Sequence, residues 1–474
     1  MTTDVQRMSL PRRIVGGVAG FFTGLGRKAA AFFNIFRKGG ASTRLSYFIM
    51  GAACLRCRQF VKGGLYLLAQ AAFLLYLFTA GAPALAGLVT LGTKTQGWVF
   101  DEELGINVLQ SGDNSMLFLI FGVLAVLLCL LFLALYFSNI RTAWRLQELR
   151  RRGKPIPSFA DELRELMDTR FHVTLLALPV LGVLVFTVLP LVFMILIAFT
   201  NYDAAHQPPG NLFTWVGFAN FGQMLFGSSR MAGTFFPVFF WTIIWAVLAT
   251  FSNYIFGILF ALMINKKGVR IKGVWRTIFV LTIAVPQFVS LLIMRNMLND
   301  YGPINELLLS LGWITERIPF LTDPFLAKVS VLVVNLWLGI PYTMLITTGI
   351  LMNIPEDQYE AARVDGASPL VVFFKITLPQ ILFVTTPYLI TQFIANINNF
   401  NVIYLLTGGG PTNSEYYFAG HTDLLVTWLY KLTADRKDYS IASTIGILVF
   451  LISVIVSLIT FTRSASYRKE EAFG

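Results

Sequence analysis

Charge is scarce in this sequence: Asp, Glu, Lys and Arg make up 13% of its 474 residues, against 56% hydrophobic. Soluble globular chains carry about a quarter charged residues, so that class is excluded and a chain crossing a membrane many times is expected. Cysteine is equally sparse. Cys54, Cys57 and Cys129 are too few for a disulfide scaffold, and Cys54-x-x-Cys57 has no second pair with which to hold zinc. All three read as unpaired thiols. His172, His206 and His421 are scattered over loops and run ends, so no metal site is expected. No G-x-x-x-x-G-K-[ST] string occurs, which leaves the chain without that phosphate cradle and without ATP hydrolysis of its own. No cofactor and no catalytic residue is implied.

What the sequence does have is long apolar runs, near 64–88, 115–138, 174–199, 237–264, 275–298, 326–351, 380–403 and 441–462. Each is long enough to cross a bilayer as a helix, giving an all-α polytopic fold of about eight spans. The formal charge of +12 sorts with these runs. With the first span leaving the cytoplasm, the inside segments hold the arm 1–63, Arg150-Arg151-Arg152-Gly153-Lys154, the cluster Lys266, Lys267, Arg270, Lys272 and Arg276, and the tail Arg463, Arg468, Lys469. The outside loops are poor in base, with only Lys94 near 89–114, only Arg230 near 200–236, only Arg317 near 299–325, and Lys431, Arg436 and Lys437 near 404–440. This asymmetry puts both termini in the cytoplasm of a cell with a plasma membrane. The charge is topological, and no nucleic-acid partner is implied.

The arm carries Arg12, Arg13, Arg27, Lys28, Arg37, Lys38, Arg44, Arg56, Arg58 and Lys62 among glycines and short aromatic patches. It has no secretory signal pattern and reads as a basic, surface-lying segment, with plain disorder as the alternative. Between the second and third runs, Ser158-Phe159-Ala160-Asp161 opens a short helix with Leu163, Leu166, Met167 and Phe171 on one side. Its acids make a solvated face, not a catalytic set.

A polar stretch, 355–379, separates the sixth and seventh runs. Pro355 suits the first turn of a helix, Glu356 and Asp357 follow where the helix dipole favours acid, and Gly366 supplies a stop. Ser368 caps a second helix, with Pro369 at its first position and Leu370, Phe373, Phe374 and Ile376 as its apolar face up to Pro379. Sidedness puts this helix–glycine–helix hairpin in the cytoplasm. After the seventh run, Gly408-Gly409-Gly410-Pro411-Thr412-Asn413 ends helical structure. It is either a contact for an external protein or a flexible connection.

Amides inside lipid-facing spans are costly and must find partners. Helical spacing aligns Asn335, Gly339 and Tyr342 in the sixth run, and Gln392, Asn396 and Asn399 in the seventh. They serve either as interhelical hydrogen bonds or as the lining of a path for a hydroxylated solute. Pro286, Pro341 and Pro387 are expected to kink their spans. An ion-coupled secondary transporter would carry acids or histidines at these depths, whereas the buried polar groups here are amides. A membrane enzyme lacks a convergent catalytic set, and a simple anchor has no need of polar faces.

Glu360-Ala361-Ala362, Asp365-Gly366-Ala367, Ile376, Leu378 and Pro379 resemble the E-A-A…G…I…L-P signature of membrane subunits of binding-protein-dependent ABC importers. From about 171 onward the chain is similar to the MalF-type larger membrane subunit of maltose/maltodextrin importers, through V-N-L-W-L-G-I-P-Y at Val334–Tyr342, N-I-N-N-F at Asn396–Phe400 and H-T-D-L-L-V at His421–Val426. The resemblance implies a six-helix type I importer core at 171–474, two additional spans and a cytoplasmic linker at 64–170, and a coupling hairpin at 355–379 that docks on an ATPase. It implies sugar contacts at Asn335, Leu338, Gly339, Tyr342, Asn396 and Asn399, with Gln287 facing the same path. Glu360, Ala361, Ala362, Asp365, Gly366 and Ala367 inherit the coupling role. The implied partners are a second, similar permease subunit, an ATP-binding subunit dimer, an extracytoplasmic solute-binding protein, an oligosaccharide and the bilayer. Ile283 and Ala395 replace aromatics of the enteric family members and Gln287 replaces a small hydroxyl, which leaves the sugar open between maltodextrin and galactose-containing or other oligosaccharides. The short 200–236 loop is nearer to Gram-positive relatives, which use a lipid-anchored binding protein.

Overall fold

A computed structural model describes Gly26 and residues 30–103, 105–266 and 268–463. Arg12, Arg13, Arg27, Lys28, Lys267, Arg468 and Lys469, named above for their charge, lie outside the described residues, as does the side chain of Arg463. Among the described residues, seven helices are long and apolar enough to cross a membrane, and a bent pair makes an eighth if taken as one span. They fall where the eight apolar runs do. The protein is therefore an all-helical multi-pass membrane fold, with one two-stranded sheet as the exception among the described residues.

The chain divides into two compact units. The first takes the described residues up to Phe193, with Pro208–Leu212. Its short helices α1 (Ala41–Leu45) and α2 (Ala52–Arg56) precede α3 (Phe60–Tyr76), which continues through a π turn (Leu77–Gly81) into α4 (Ala82–Thr90). Strands β1 (Gly97–Asp101) and β2 (Ile106–Gln110) lead to α5 (Ser115–Arg151), followed by α6 (Phe159–Met167) and α7 (Phe171–Val183).

Much of the segment expected as a surface-lying arm is packed. Asn139 of α5, almost fully buried, accepts from Gly51 N at 2.9 Å and donates to the Ser46 carbonyl at 2.9 Å. Thr43 Oγ1 donates to Gln147 of the same helix at 2.6 Å. A buried amide that satisfies two main-chain groups fixes the segment against α5. Burial pushes the Cys54 thiol up to about 11, and all three cysteines are free.

The loop near 89–114 is not plain coil. Trp98, Val99 and Phe100 pair with Leu109, Val108 and Asn107, a β-branched and aromatic pattern that favours strands. Ser158 and Asp161 make the expected capping box of α6, but Phe171 belongs to the next helix.

The second unit takes Met194–Gln207 and the chain from Phe213. Helix α8 (Leu189–Ile197) carries the chain into it from a π turn (Leu184–Val188), and α9 (Ala219–Phe226) leads to α10 (Arg230–Asn265). The bent pair α11 (Lys272–Ala284) and α12 (Gln287–Met297), then α13 (Pro303–Ser310), precede α14 (Pro324–Asn353). The hairpin helices α15 (Glu356–Val364) and α16 (Pro369–Val372), a π turn (Phe373–Thr377), α17 (Leu378–Ile397) and α18 (Phe400–Leu406) follow, and α19 (Leu425–Ala434) and α20 (Tyr439–Arg463) complete it.

Helices α10 and α14 pack closely because Gly257 leaves room for Thr343, whose Cβ would stand 2.5 Å from a β-carbon there. Trp245 and Trp428 are fully buried in the unit's core, and each indole N–H reaches a main-chain carbonyl, of Asn396 at 3.1 Å and of Tyr417 at 2.7 Å.

The prolines act in different ways. Val285 and Pro286 are extended, and α11 and α12 meet there at 91°. A residue before proline is pushed out of the α region, and proline supplies no N–H to carry the helix across. Pro341 and Pro387 instead lie inside helices that stay continuous. Each π turn ends two residues before a proline, at Pro83, Pro190 and Pro379. The carbonyl four residues before each of these prolines has lost its helical donor, and the wider turn absorbs that loss.

Candidate binding cavity and polar hairpin

A cavity of about 440 Å³ lies within the second unit, inside the range of small-molecule sites. Helix α14 contributes Asn335, Leu338, Gly339 and Tyr342, α17 contributes Gln392, Ala395 and Asn396, and Asn399 follows; the break at Pro286 brings in Ile283 and Gln287. All the candidate substrate residues thus meet in one place. Thr250, Asn253 and Tyr254 of α10 and Tyr388 of α17 also line it, and the sequence reading passed over them. The signal for Asn253 was present: an amide in an apolar run, the same criterion that picked out Asn335. Among the described residues, no charged side chain lines the cavity. It has neutral hydrogen-bonding groups and tyrosine faces, a combination suited to hydroxylated rings and unsuited to covalent chemistry.

The polar groups divide between those already paired and those not. Asn396 Nδ2 donates to Thr250 Oγ1 of α10 at 2.9 Å, so this amide joins two helices. Asn399 does not extend the face of Gln392 and Asn396, because α17 ends at Ile397 and Asn399 caps α18, accepting from Val402 N at 3.2 Å. An asparagine is better placed at a helix start than in a helix interior, and spacing alone does not register that break. Gln287 Oε1 accepts from Asn401 Nδ2 at 3.3 Å. The rings of Tyr342 and Tyr388 stand 5.9 Å apart, and Tyr388 meets Thr343 at 3.1 Å through hydroxyls. Asn335 Nδ2 and Asn253 Oδ1 are enclosed and unpaired.

The hairpin forms nearly as read. Pro355 is the N-cap of α15, one position before the first turn, and Glu356 and Asp357 occupy that turn. Gly366 has φ +73°, with Gly366 N bonded to Arg363 O at 3.1 Å and Ala367 N to Ala362 O at 2.9 Å. These are the two bonds of a Schellman stop, which needs a left-handed residue at the glycine. Ser368 caps α16. The second arm runs on into α17 without ending at Pro379, because the π turn accommodates the proline. Tyr359 and Thr377 hydroxyls meet at 3.2 Å and Gln380 donates to Gln358 at 2.6 Å, which clamps the two arms. At its tip Val364 is 87% exposed and Leu370 71%, an apolar surface on an otherwise polar element. Fourteen residues of α14 separate Gly339 from Asn353, about 21 Å of helix, so one continuous helix runs from the cavity to the two extended residues that lead into the hairpin.

The triple-glycine loop is tied by hydrogen bonds to the chain that follows it. Thr422 Oγ1 donates to Gly410 O at 2.6 Å, and Asp423 accepts from Gly420 N at 2.7 Å and from Lys431 Nζ at 2.6 Å. Burial pushes the Asp423 carboxyl up, against the opposing pull of Lys431. Burial and the nearby charge of Lys328 hold the His421 imidazole below its ordinary value.

A multi-span helical bundle with a neutral polar cavity, a proline-broken span and a clamped polar hairpin is a membrane transport subunit. Residues 253–466 match the family described as binding-protein-dependent transport system inner membrane component. The chain is 36% identical over 417 residues to the galactooligosaccharides transport system permease protein GanP of Bacillus subtilis, covering 87% of this chain and 95% of that one. It is 34% identical over 450 residues to the maltodextrin transport system permease protein MalC of Streptococcus pneumoniae, covering 92% and 99%. The crystal structure of a bacterial ABC transporter that imports alginate includes a chain with the same fold, at TM-score 0.54 and 24% identity, covering 64% of this chain and 97% of that one. The chain belongs to the family of inner membrane components of binding-protein-dependent transport systems, as a permease subunit of an ABC sugar importer and not an enzyme.

Proposed function

We propose that this chain carries oligosaccharides across the plasma membrane of a bacterium, beside a second, similar permease subunit, a pair of ATPase subunits and an extracytoplasmic solute-binding protein. The observation that carries this reading is the convergence of Asn335, Leu338, Gly339, Tyr342, Asn396, Asn399 and Gln287 on one uncharged cavity. Their amides and tyrosine faces match the hydroxyls and apolar ring faces of a sugar. Glu360, Ala361, Ala362, Asp365, Gly366 and Ala367 form the hairpin that docks on the ATPase, whose closure moves α14 and α17 and opens the cavity alternately to either side. Residues 1–63 form a cytoplasmic arm, 64–170 two additional spans with a linker, and 171–474 the permease domain, with both termini in the cytoplasm. The loop at 408–413 is a contact for the binding protein.

Maltodextrin is the first assignment. Galactose-containing oligosaccharides are the second, favoured by the comparable identity to GanP and by the aliphatic Ile283 and Ala395 in the cavity wall. The test is ATP-dependent uptake of maltotriose and of a galactosyl trisaccharide by the complete complex in proteoliposomes. Uptake of either supports the reading, and uptake of neither overturns it.

A further inference from the structure

The cavity's hydrogen-bonding groups are unevenly used. Asn396 is spent on Thr250, Asn399 on the cap of α18, and the Gln287 acceptor on Asn401. Three of the lining hydroxyls are paired too, Tyr254 with Thr385 at 2.5 Å and Thr343 with Tyr388 at 3.1 Å, while Tyr342 and Gln392 are only partly covered. Two amide atoms stand apart. Oδ1 of Asn253, an acceptor on α10, and Nδ2 of Asn335, a donor on α14, are both enclosed without a partner, and Asn335 is 5% exposed.

Their positions are linked. The Asn253 amide lies against Gly339, in the space a β-carbon there would occupy. Asn335 is one helical turn before Gly339 on the same face. Glycine at 339 therefore admits the Asn253 amide to the face of α14 that carries Asn335 one turn away. Buried polar groups are almost always hydrogen-bonded, and an unpaired one that lines a cavity calls for a partner from within it, a water or a ligand group. Had Asn253 been interhelical glue, its oxygen would be bonded across the interface as Asn396 is to Thr250.

We propose that Asn253 is a specificity-determining residue of this transport path, acting with Asn335 on two neighbouring hydroxyls of one pyranose ring. Asn253 Oδ1 accepts from one hydroxyl and Asn335 Nδ2 donates to the oxygen of the next. A hydroxyl both donates and accepts, so neighbouring hydroxyls of one ring can satisfy an unpaired acceptor on α10 and an unpaired donor on α14 that line the same cavity. Glucosyl and galactosyl rings differ in the orientation of one hydroxyl relative to its neighbours, so a site that grips a neighbouring pair discriminates between them. This inference rests on the reading of the cavity as an oligosaccharide path.

The test uses the complete complex in proteoliposomes with saturating binding protein, maltotriose and β-1,4-galactotriose as probes, and the ratio of their uptake rates as the readout. Asn253→Leu keeps the volume and removes the acceptor, whereas Asn253→Asp keeps an oxygen at the acceptor position. Asn253→Leu is expected to lower uptake of the preferred sugar about tenfold, the equivalent of one lost directional bond, and to move the ratio towards unity. Asn253→Asp is expected to recover most of the ratio. If Asn253→Leu fails to assemble, Asn253→Ser, which withdraws the acceptor, must shift the ratio in the same direction. A wild-type ratio in the assembled variants, whatever their absolute rates, overturns this assignment alone and makes Asn253 a packing or water-bridged residue. Import of neither sugar by the unsubstituted complex overturns the oligosaccharide reading and this assignment with it.

Discussion

Asn396 of α17 donates its side-chain amide to the hydroxyl of Thr250 on α10 at 2.9 Å, and this bond, with those of Trp245 to the Asn396 carbonyl and Tyr254 to Thr385, ties together two walls of the cavity. Thr250→Val keeps the shape and removes the acceptor. Interhelical hydrogen bonds in membrane proteins contribute about 0.6 kcal/mol on average, so the complex should lose roughly that much. Asn396→Ala, which also leaves a gap, should lose about 1–3 kcal/mol. Thermal unfolding of the purified complex measures both. Equal stability of Thr250→Val and the parent would show that the bond contributes nothing.

Asn399 has two possible contributions, and they can be separated. As the N-cap of α18 it accepts from Val402 N, and as a cavity residue it faces the solute. Serine caps nearly as well as asparagine, whereas alanine costs about 1 kcal/mol. Asn399→Ser should therefore keep the thermal stability of the complex and still lower uptake, because the amide is gone from the cavity. Asn399→Ala should lower both. Full uptake by Asn399→Ser would reduce Asn399 to a cap.

Gly366 holds φ +73° in the stop of α15, and a β-carbon there would meet open space. Strain, not crowding, is thus the local cost of a substitution, about 1 kcal/mol. Gly366→Asp should leave insertion and assembly of the membrane subunits intact while adding bulk and charge to a surface assigned to ATPase contact. Sugar-stimulated ATP hydrolysis and uptake should fall at least tenfold in the reconstituted complex. Retention of both rates would remove the hairpin from the coupling path.

The departures at Ile283 and Ala395 now have a place, since both line the cavity. The wall keeps Tyr254, Tyr342 and Tyr388, so aromatic surface is reduced at two points and not lost. Ile283→Tyr with Ala395→Phe adds two rings to a cavity of about 440 Å³. Uptake of bulky or branched oligosaccharides should drop relative to linear glucosyl ones, with the same binding protein supplying each. An unchanged profile would show that these positions do not shape selectivity.

How much of this was legible in the sequence follows from what each pattern depends on. The spans were readable because burial in lipid requires an uninterrupted apolar run, whatever the tertiary contacts. The hairpin was readable because caps, the Gly366 turn and Pro369 act locally. Asn399 was misplaced because helical spacing carries across Asn398 on paper, while the chain restarts a helix there. The role of Gly339 was only half legible: glycine signalled a close approach, but nothing in the sequence said that Asn253, 86 positions earlier, was the group approaching. The packing of residues 41–58 on α5 depends likewise on Asn139 and Gln147, about 90 to 100 positions away.

Asp423 and Lys431 supply the last prediction. The carboxylate is fully buried, with Lys431 Nζ at 2.6 Å from Oδ2, and its Oδ1 lies where a β-carbon of Gly409 would stand. Gly409 has φ +81°, so glycine there answers both the backbone and the acid. Lys431→Met removes the cation and leaves the acid enclosed, a change that typically costs about 3–5 kcal/mol. The cost should depend on pH in a definite direction. Burial already raises the Asp423 pKa above its unfolded value, and loss of Lys431 raises it further. A group whose folded pKa is raised contributes stability that is present below the unfolded value, about 3.9, and is lost as pH rises through the folded value. Lys431→Met should therefore be markedly less stable than the parent at pH 8 and approach it at pH 5. Asp423→Asn combined with Lys431→Met removes both charges and should recover most of the loss at pH 8. Thermal midpoints of the three complexes at the two pH values test this. A deficit in Lys431→Met of the same size at both values would mean that the lysine acts through its packing and not through the acid.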